Sequence, residues 1–392
     1  MLDDPFLAQL MLNDLRSVIA SRTSYQIYRR PEPLPISRWV AASLLQKAIR
    51  RGRLDLALRA ASTLLAVDEK RLWRRLALIG AEDVGLGDIV AVGLATAAFV
   101  SKGRRAEFGD DWVIACCLVS RLAAANKCRA TDDLALICEV HPACVDLRLE
   151  LQEKPTEALI DIILSSTMPF LDRAVALSCA LGGPSRSKQR TARRHRAEDV
   201  FAAFAESGWS GSLTALARRS YFTTGELLGP YLLLLSREFT LPGIIRADSL
   251  PVEAAVGPVP GWAYDQFSHE GRQALLRFLQ SGAPSALWLK ANLLAKWRLP
   301  VLGHLLFRIE GGRVNLRLRW PLAEKLRRDA DLFCSGHGCP DSGEVLRLLW
   351  GDLPVLNQIR AELSRPSPMG EERLEQPVPE PQQLELPATA EI

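Results

Sequence analysis

Nowhere does this 392-residue sequence stay apolar long enough to cross a bilayer. The longest runs, IVAVGLATAAFV from Ile89 and YLLLLS from Tyr231, fall well short of the roughly 20 residues a membrane helix requires. The amino terminus, MLDDPFLAQL, is acidic where a secretory signal would be basic, so a cytoplasmic protein with no membrane partner is expected. A GxxxxGK loop is missing, and with it the backbone amides and lysine that a P-loop ATPase places around phosphates. The sequence also has no CxxC or HxxxH pair, and its eight cysteines lack disulfide-like spacing. Those inside apolar helical runs, among them Cys116, Cys117, Cys138 and Cys179, read as reduced, buried thiols. No cofactor is expected.

What remains is an ordinary globular balance, 48% hydrophobic and 24% charged. The length exceeds that of a single core, so two domains and a tail are expected. The formal charge of +4 is unevenly spread: residues 365–392 hold two arginines and six glutamates, leaving +8 on residues 1–364. Most of that positive charge is arginine, which suits bidentate contacts with phosphate and makes DNA a candidate partner.

Periodicity predicts helices. Val40, Leu44, Ala48 and Ala41, Leu45, Ile49 form one apolar stripe that stops at Gly52. Leu54, Leu58, Ala61 and Leu65 repeat the pattern, as do Leu72, Leu76 and Ile79 after a cap at Asp68. Ile89 to Val100 and Trp112 to Leu122 are apolar on nearly every face, as enclosed helices are, and further helices are expected up to Leu181. GGPSRSKQRTARRHR, residues 182–196, then breaks the period with glycine, proline and a run of positive charge, which places a basic linker at 182–198. The expected domains are thus 1–181, all helical, and 199–363, mostly helical. In FRIEGGRVNLRLRW the alternation predicts a β-hairpin near 306–320, turning at Gly311-Gly312, with Arg308, Arg313, Asn315, Arg317 and Arg319 on its polar face. Residues 364–392, rich in proline, glutamate and glutamine, read as a disordered acidic tail.

The run LLQKAIRRGRLDLALRAASTLLAVDEKRLWRRLALIGAEDVGLGD carries Lys47 and Arg50 near the end of a helix, then Asp55, Ala57 and Leu58, then Arg74-Arg75, and last the corner Ala81, Glu82, Asp83, Val84, Gly85. LAAANKCRATDDL follows, with Asn126, Lys127 and Cys128 at a turn. In this order the elements resemble the carboxy-terminal helical domain of the replication-associated recombination ATPases, the family of bacterial RarA and the Werner-helicase-interacting protein. The resemblance spans about residues 37–140. It implies a clamp-loader-type collar, a helical bundle that assembles subunits near DNA. The nucleotide-binding core that precedes this domain in the family has no counterpart in the 36 residues before Ser37, so ATP hydrolysis is not expected. The fold class expected is mainly α: a collar-like bundle, a mixed and mostly helical second domain with a β-hairpin, and the tail.

The corner most simply forms a tight turn, with Glu82 and Asp83 paired to arginines such as Arg74 or Arg75 and Gly85 closing the bend. As acid-base catalysts these carboxylates would need a cleft and a substrate that the sequence does not supply. Candidate phosphate contacts are Lys47, Arg50, Arg51, Arg74, Arg75, Lys127, Arg129, Arg186, Lys188, Arg190, Arg193, Arg194, Arg196, Arg317 and Arg319. Trp262, Trp288, Trp297 and Trp320 could stack on bases, with core packing the expectation. Cys334, His337 and Cys339 in CSGHGC offer three soft ligands without a fourth, so no metal is expected. In the tail, Gln383, Leu384 and Leu386 are similar to the short peptides that dock on the bacterial sliding clamp. The function expected is a non-catalytic accessory protein of DNA replication, recombination or repair that oligomerises or docks on an ATPase partner. The alternatives are a metal-dependent nuclease of a mobile element with its site in 199–363, and an assembly scaffold that binds no nucleic acid.

Overall fold

The computed structural model describes residues 29–182, 190–240, 243–333 and 341–364, with positions 13, 16, 17, 19, 20 and 339; at 190–195 and 333 it describes the backbone alone. The chain is mainly helical, as the periodicity predicts. Ser37 accepts the Val40 amide at the start of α1 (Arg38–Arg51), and Gly52, left-handed at φ 67°, ends it. α2 (Leu54–Val67) and α3 (Glu69–Ile79) follow, with Asp68 capping α3 through the Arg71 amide. A π-helical turn, Gly80–Val84, and a 3₁₀ turn, Gly85–Gly87, lead to α4 (Ile89–Ala98), which Asp88 caps. α5 (Lys102–Ala106) and α6 (Asp111–Ala124) complete the first core, in which Leu44, Leu45, Leu64, Leu72, Leu76 and Leu122 are fully buried.

A second core is built by α7 (Ala130–Val140), α8 (Pro142–Leu151), α9 (Thr156–Leu164), α10 (Phe170–Leu181), α11 (Arg190–Glu206), α12 (Gly211–Thr224) and α13 (Leu228–Glu238). The expected basic linker at 182–198 therefore needs correction. Residues 190–206 form one helix, whose Val200, Phe201 and Phe204 share a core with Leu177 and Leu181. Arginine is a good helix former, so a basic run does not of itself end a helix. The division between cores falls instead near residue 126.

The third core comprises α14 (His269–Leu279), α15 (Pro284–Asn292), α16 (Ala295–Leu306) and α18 (Ser342–Leu363). Strand content is small. β1 (Ile244–Arg246) pairs antiparallel with β4 (Arg317–Arg319), Ile245 opposite Leu318, and β2 (Ala255–Val256) forms a hairpin with β3 (Val259–Pro260). A β-hairpin is thus present, but at 255–260 rather than 306–320. The reason is that the helical spacing of Val301, Leu302, Leu305 and Ile309 carries α16 onward into a π turn, Phe307–Gly311, which closes with the Gly312 amide on the Phe307 carbonyl at 2.6 Å. Arg317 then faces inward while Leu316, at φ 53°, faces out, so the polar-face alternation fails there.

The later segments return to the earlier cores. Val256, Val259, Trp262 and Tyr264 complete the first, and Trp320 with α17 (Pro321–Phe333) completes the second. Among the described residues no helix is long and apolar enough to cross a membrane, and the described cysteines are free.

Candidate functional site

The corner that carries the resemblance is the centre of a buried ionic hub. Asp83 is fully buried. Its Oδ1 accepts from Arg50 Nε at 2.7 Å and from Arg129, and its Oδ2 accepts from Gln46 Nε2 at 3.0 Å. Arg50 also reaches Glu82 Oε1 at 2.7 Å, and Arg129 continues to Asp132. Arg50 and Gln46 come from α1, the carboxylates from the π turn, and Arg129 from the residue before α7, so three elements meet at one carboxylate. The pairing expected with Arg74 or Arg75 is corrected: Arg74 instead bonds Glu226 at 3.0 Å and the Thr224 carbonyl at 2.9 Å, and Arg75 is only partly buried. Neighbours in sequence lost to partners that the fold brings from 32 or more residues away.

Two guanidinium groups here serve three carboxylates. Burial, followed by repulsion from Asp83 and Asp132, pushes Glu82 up to about 7 against the pull of Arg50 and Arg129. Burial acts upward on Asp83 as well, but Arg50 and Arg129 hold it below the usual carboxylate range.

Around the hub the corner is locked to the α6–α7 turn. The Cys128 amide donates to the Val84 carbonyl at 3.1 Å and the Thr131 hydroxyl to the Ala81 carbonyl at 2.5 Å. Gly85 sits at φ 49°, and a Cβ there would come within 2.6 Å of the Cys128 carbonyl oxygen. Lys127 folds inward, its ammonium donating to the carbonyls of Ala123 at 3.0 Å and Ala125 at 2.5 Å. Burial brings it down to about 8.

The same basic end of α1 anchors the second half of the chain. Lys47 donates to Asp265 and to the Trp262 carbonyl, both at 2.7 Å. Arg51 donates to the Glu310 carbonyl at 2.6 Å and lies 4.4 Å from the centre of the Trp262 ring. Arg50 reaches the Gly311 carbonyl at 2.8 Å, and the Phe307 ring covers Arg50 and Arg129. Arg360 joins Glu310 at 3.0 Å to the Tyr264 carbonyl at 2.9 Å. Arg317 is buried on Asp248 at 2.7 Å, while backbone bonds tie Lys127 to both Leu316 and Leu318.

Six of the expected phosphate contacts, Lys47, Arg50, Arg51, Lys127, Arg129 and Arg317, are therefore interior groups, each at most 6% exposed and engaged by acceptors within the chain, although Arg51 Nη1 has no hydrogen-bond partner among the described residues. This corrects their assignment to DNA, since a cation buried inside the fold is out of a phosphate's reach. Arg74, Arg75, Arg196 and Arg319 remain partly exposed. For Arg190, Arg193 and Arg194 only the helical backbone is described, and Arg186 and Lys188 lie outside the described residues. So do Cys334, His337, Gln383, Leu384 and Leu386; Cys339 is described, its thiol raised by burial. Trp262 and Trp320 are core residues, and Trp288 and Trp297 pack at the edge of the third core. The sequence reading missed Asp248, Asp265, Glu310 and Arg360, isolated charges whose partners stand far away in sequence and leave no periodic signal.

In comparisons with known proteins, the chain matches no protein-family model, no curated protein and no solved structure.

Proposed function

We propose that this protein is an accessory factor of DNA replication, recombination or repair that acts by binding and assembly, built on a collar-like helical domain. The observation that supports this reading is the docking of the two segments that carry the resemblance. The Gly80–Gly87 corner and the Asn126–Arg129 turn close on each other, with Arg129 on Asp83, Gly85 against Cys128 and Gly87 against Asn126. Such a rigid, self-satisfied corner suits a module that positions partners. Its charges are committed to holding shape, so contact with DNA falls to the arginines left outside, Arg74, Arg75, Arg196 and Arg319 together with the amino-terminal turns of α11. Self-association or docking on an ATPase, and clamp binding through Gln383, Leu384 and Leu386, belong to the same proposal.

The test is affinity for short duplex and single-stranded DNA as a function of salt. With only a few phosphates neutralised, log K is expected to fall against log salt with a slope of about −2 to −4. Absence of binding at low salt, or a flat salt dependence, rejects the DNA part of the proposal. An oligomer by light scattering together with that result would leave the scaffold reading.

A further inference from the structure

Behind the hub, an open cleft holding about 20 Å³ lies between the start of α7, the π turn after α16, β4 and α17. That is room for one or two water-sized atoms. Its walls carry Arg129, Arg308, Arg313, Arg317 and Arg327 against Asp133 and Asp331. Arg129 is spent on Asp83 and Asp132. Of the others, Arg317 is paired with Asp248 at 2.7 Å, and the same carboxylate is shared at 3.5 Å with both Arg319 and Arg327. Arg308 has Asp331 at 3.6 Å. Among the described residues Arg313 has no carboxylate within ion-pair distance; its Nε donates to the Arg308 carbonyl at 2.6 Å. Arg319 does not line the cleft and also reaches Glu324 at 3.9 Å. The four remaining guanidiniums (308, 313, 317, 327) are thus matched by three carboxylates (133, 248, 331), an excess of one positive charge, centred on Arg313, in a half-buried position.

Such an excess is costly without a counter-ion, because burial weakens hydration without supplying a partner. The lining is arginine rather than lysine, which favours a planar, multi-oxygen anion over a chloride ion. Because the cleft is open to solvent, an oxyanion can rest at its mouth with one or two oxygens among the guanidiniums, while a base or a ring is too large to enter.

We propose that this cleft binds one phosphate monoester group, which brings nearly two negative charges at neutral pH, with Arg313 and Arg327 as its principal ligands. A backbone diester would need the chain to continue on both sides of so small a cleft, whereas a monoester ends there. The source can be a free phosphate compound or the phosphorylated end of a nucleic-acid strand, and only the second of these rests on the DNA reading above.

Equilibrium dialysis of the full chain with labelled inorganic phosphate, at constant ionic strength in chloride, tests the site. Saturable binding of one phosphate per chain is expected. Arg313→Gln should weaken it by roughly tenfold or more, as loss of a charge-assisted contact does, while Arg104→Gln, on the exposed face of α5, should leave it unchanged. Asp133→Asn removes a repelling carboxylate from the wall and should tighten binding, a gain that a damaged fold cannot mimic. No saturable binding, or binding indifferent to both Arg313→Gln and Asp133→Asn, overturns the proposal. With the site in hand, competition by an oligonucleotide carrying a 5′-phosphate but not by its 5′-hydroxyl twin identifies a strand end as the source. Failure of both to compete identifies a small phosphate compound.

Discussion

Asp83 holds two guanidiniums and a carboxamide with two oxygens, all out of contact with water. Removing it strands Arg50 and Arg129 in a dry site, and breaking a buried pair in this way costs about 3–5 kcal/mol. Asp83→Ala is therefore expected to lower the unfolding free energy by about that amount, less whatever Glu82 and Asp132 recover, as read from denaturant midpoints. The third carboxylate gives the hub a pH signature. Glu82 has a folded-state value of about 7, above its unfolded value, so its contribution to stability is complete below about 4.3 and is lost as the pH rises through that higher value. Glu82→Gln keeps the shape without the charge. Wild type should therefore lose stability relative to Glu82→Gln between about pH 4.3 and 7, and a flat difference would show that the excess proton resides elsewhere. The sequence showed that the acidic pair forms a turn and seeks arginine. It did not show which arginine, because the choice between Arg74 and Arg50 depends on where α1 crosses the turn, and no local spacing encodes that.

At the scale of elements, most of the helices were legible because their apolar stripes repeat with helical period and their ends carry Ser37, Asp68 and Gly52 as caps. The corner was legible too, and for a physical reason: Gly85 is left-handed and its missing side chain is where the Cys128 carbonyl oxygen rests. Gly85→Ala should destabilise by more than about 1–3 kcal/mol, the ordinary cost of a strained backbone position, because backbone must also move. Gly103→Ala is the matched control. It lies in α5 with open space around it, so it should stabilise by up to about 1 kcal/mol through helix propensity. Thermal melts of the two variants should move in opposite directions, and equal losses would refute the role assigned to the Gly85–Cys128 contact. The misplaced hairpin has the opposite lesson. FRIEGGRVNLRLRW alternates like a strand, but Phe307 and Ile309 also continue the helical spacing of α16, and the helix prevails because it buries Ile309 in the third core. Short alternation alone could not distinguish the two.

For the molecule as a whole, a boundary read from composition at 182–198 has a consequence that can be checked. Were residues 1–181 a domain, they would fold alone. In the structure they lack Val200, Phe201, Phe204 and Tyr231 from the second core and Trp262 from the first. They also lack Asp265 and the carbonyls of Glu310 and Gly311, which neutralise or cap the basic end of α1. Cutting there would leave Lys47 and Arg51 on the surface and a wide apolar face exposed, each buried large side chain forfeiting about 1.5–3 kcal/mol. Against a typical net stability of about 5–15 kcal/mol the deficit is decisive. A fragment of residues 29–181 is expected to lose near-ultraviolet circular dichroism and to aggregate, while residues 29–364 should unfold in one cooperative transition. A fragment that melts sharply by itself would mean that the anchoring of the second half on α1 is incidental to the fold rather than part of what holds it.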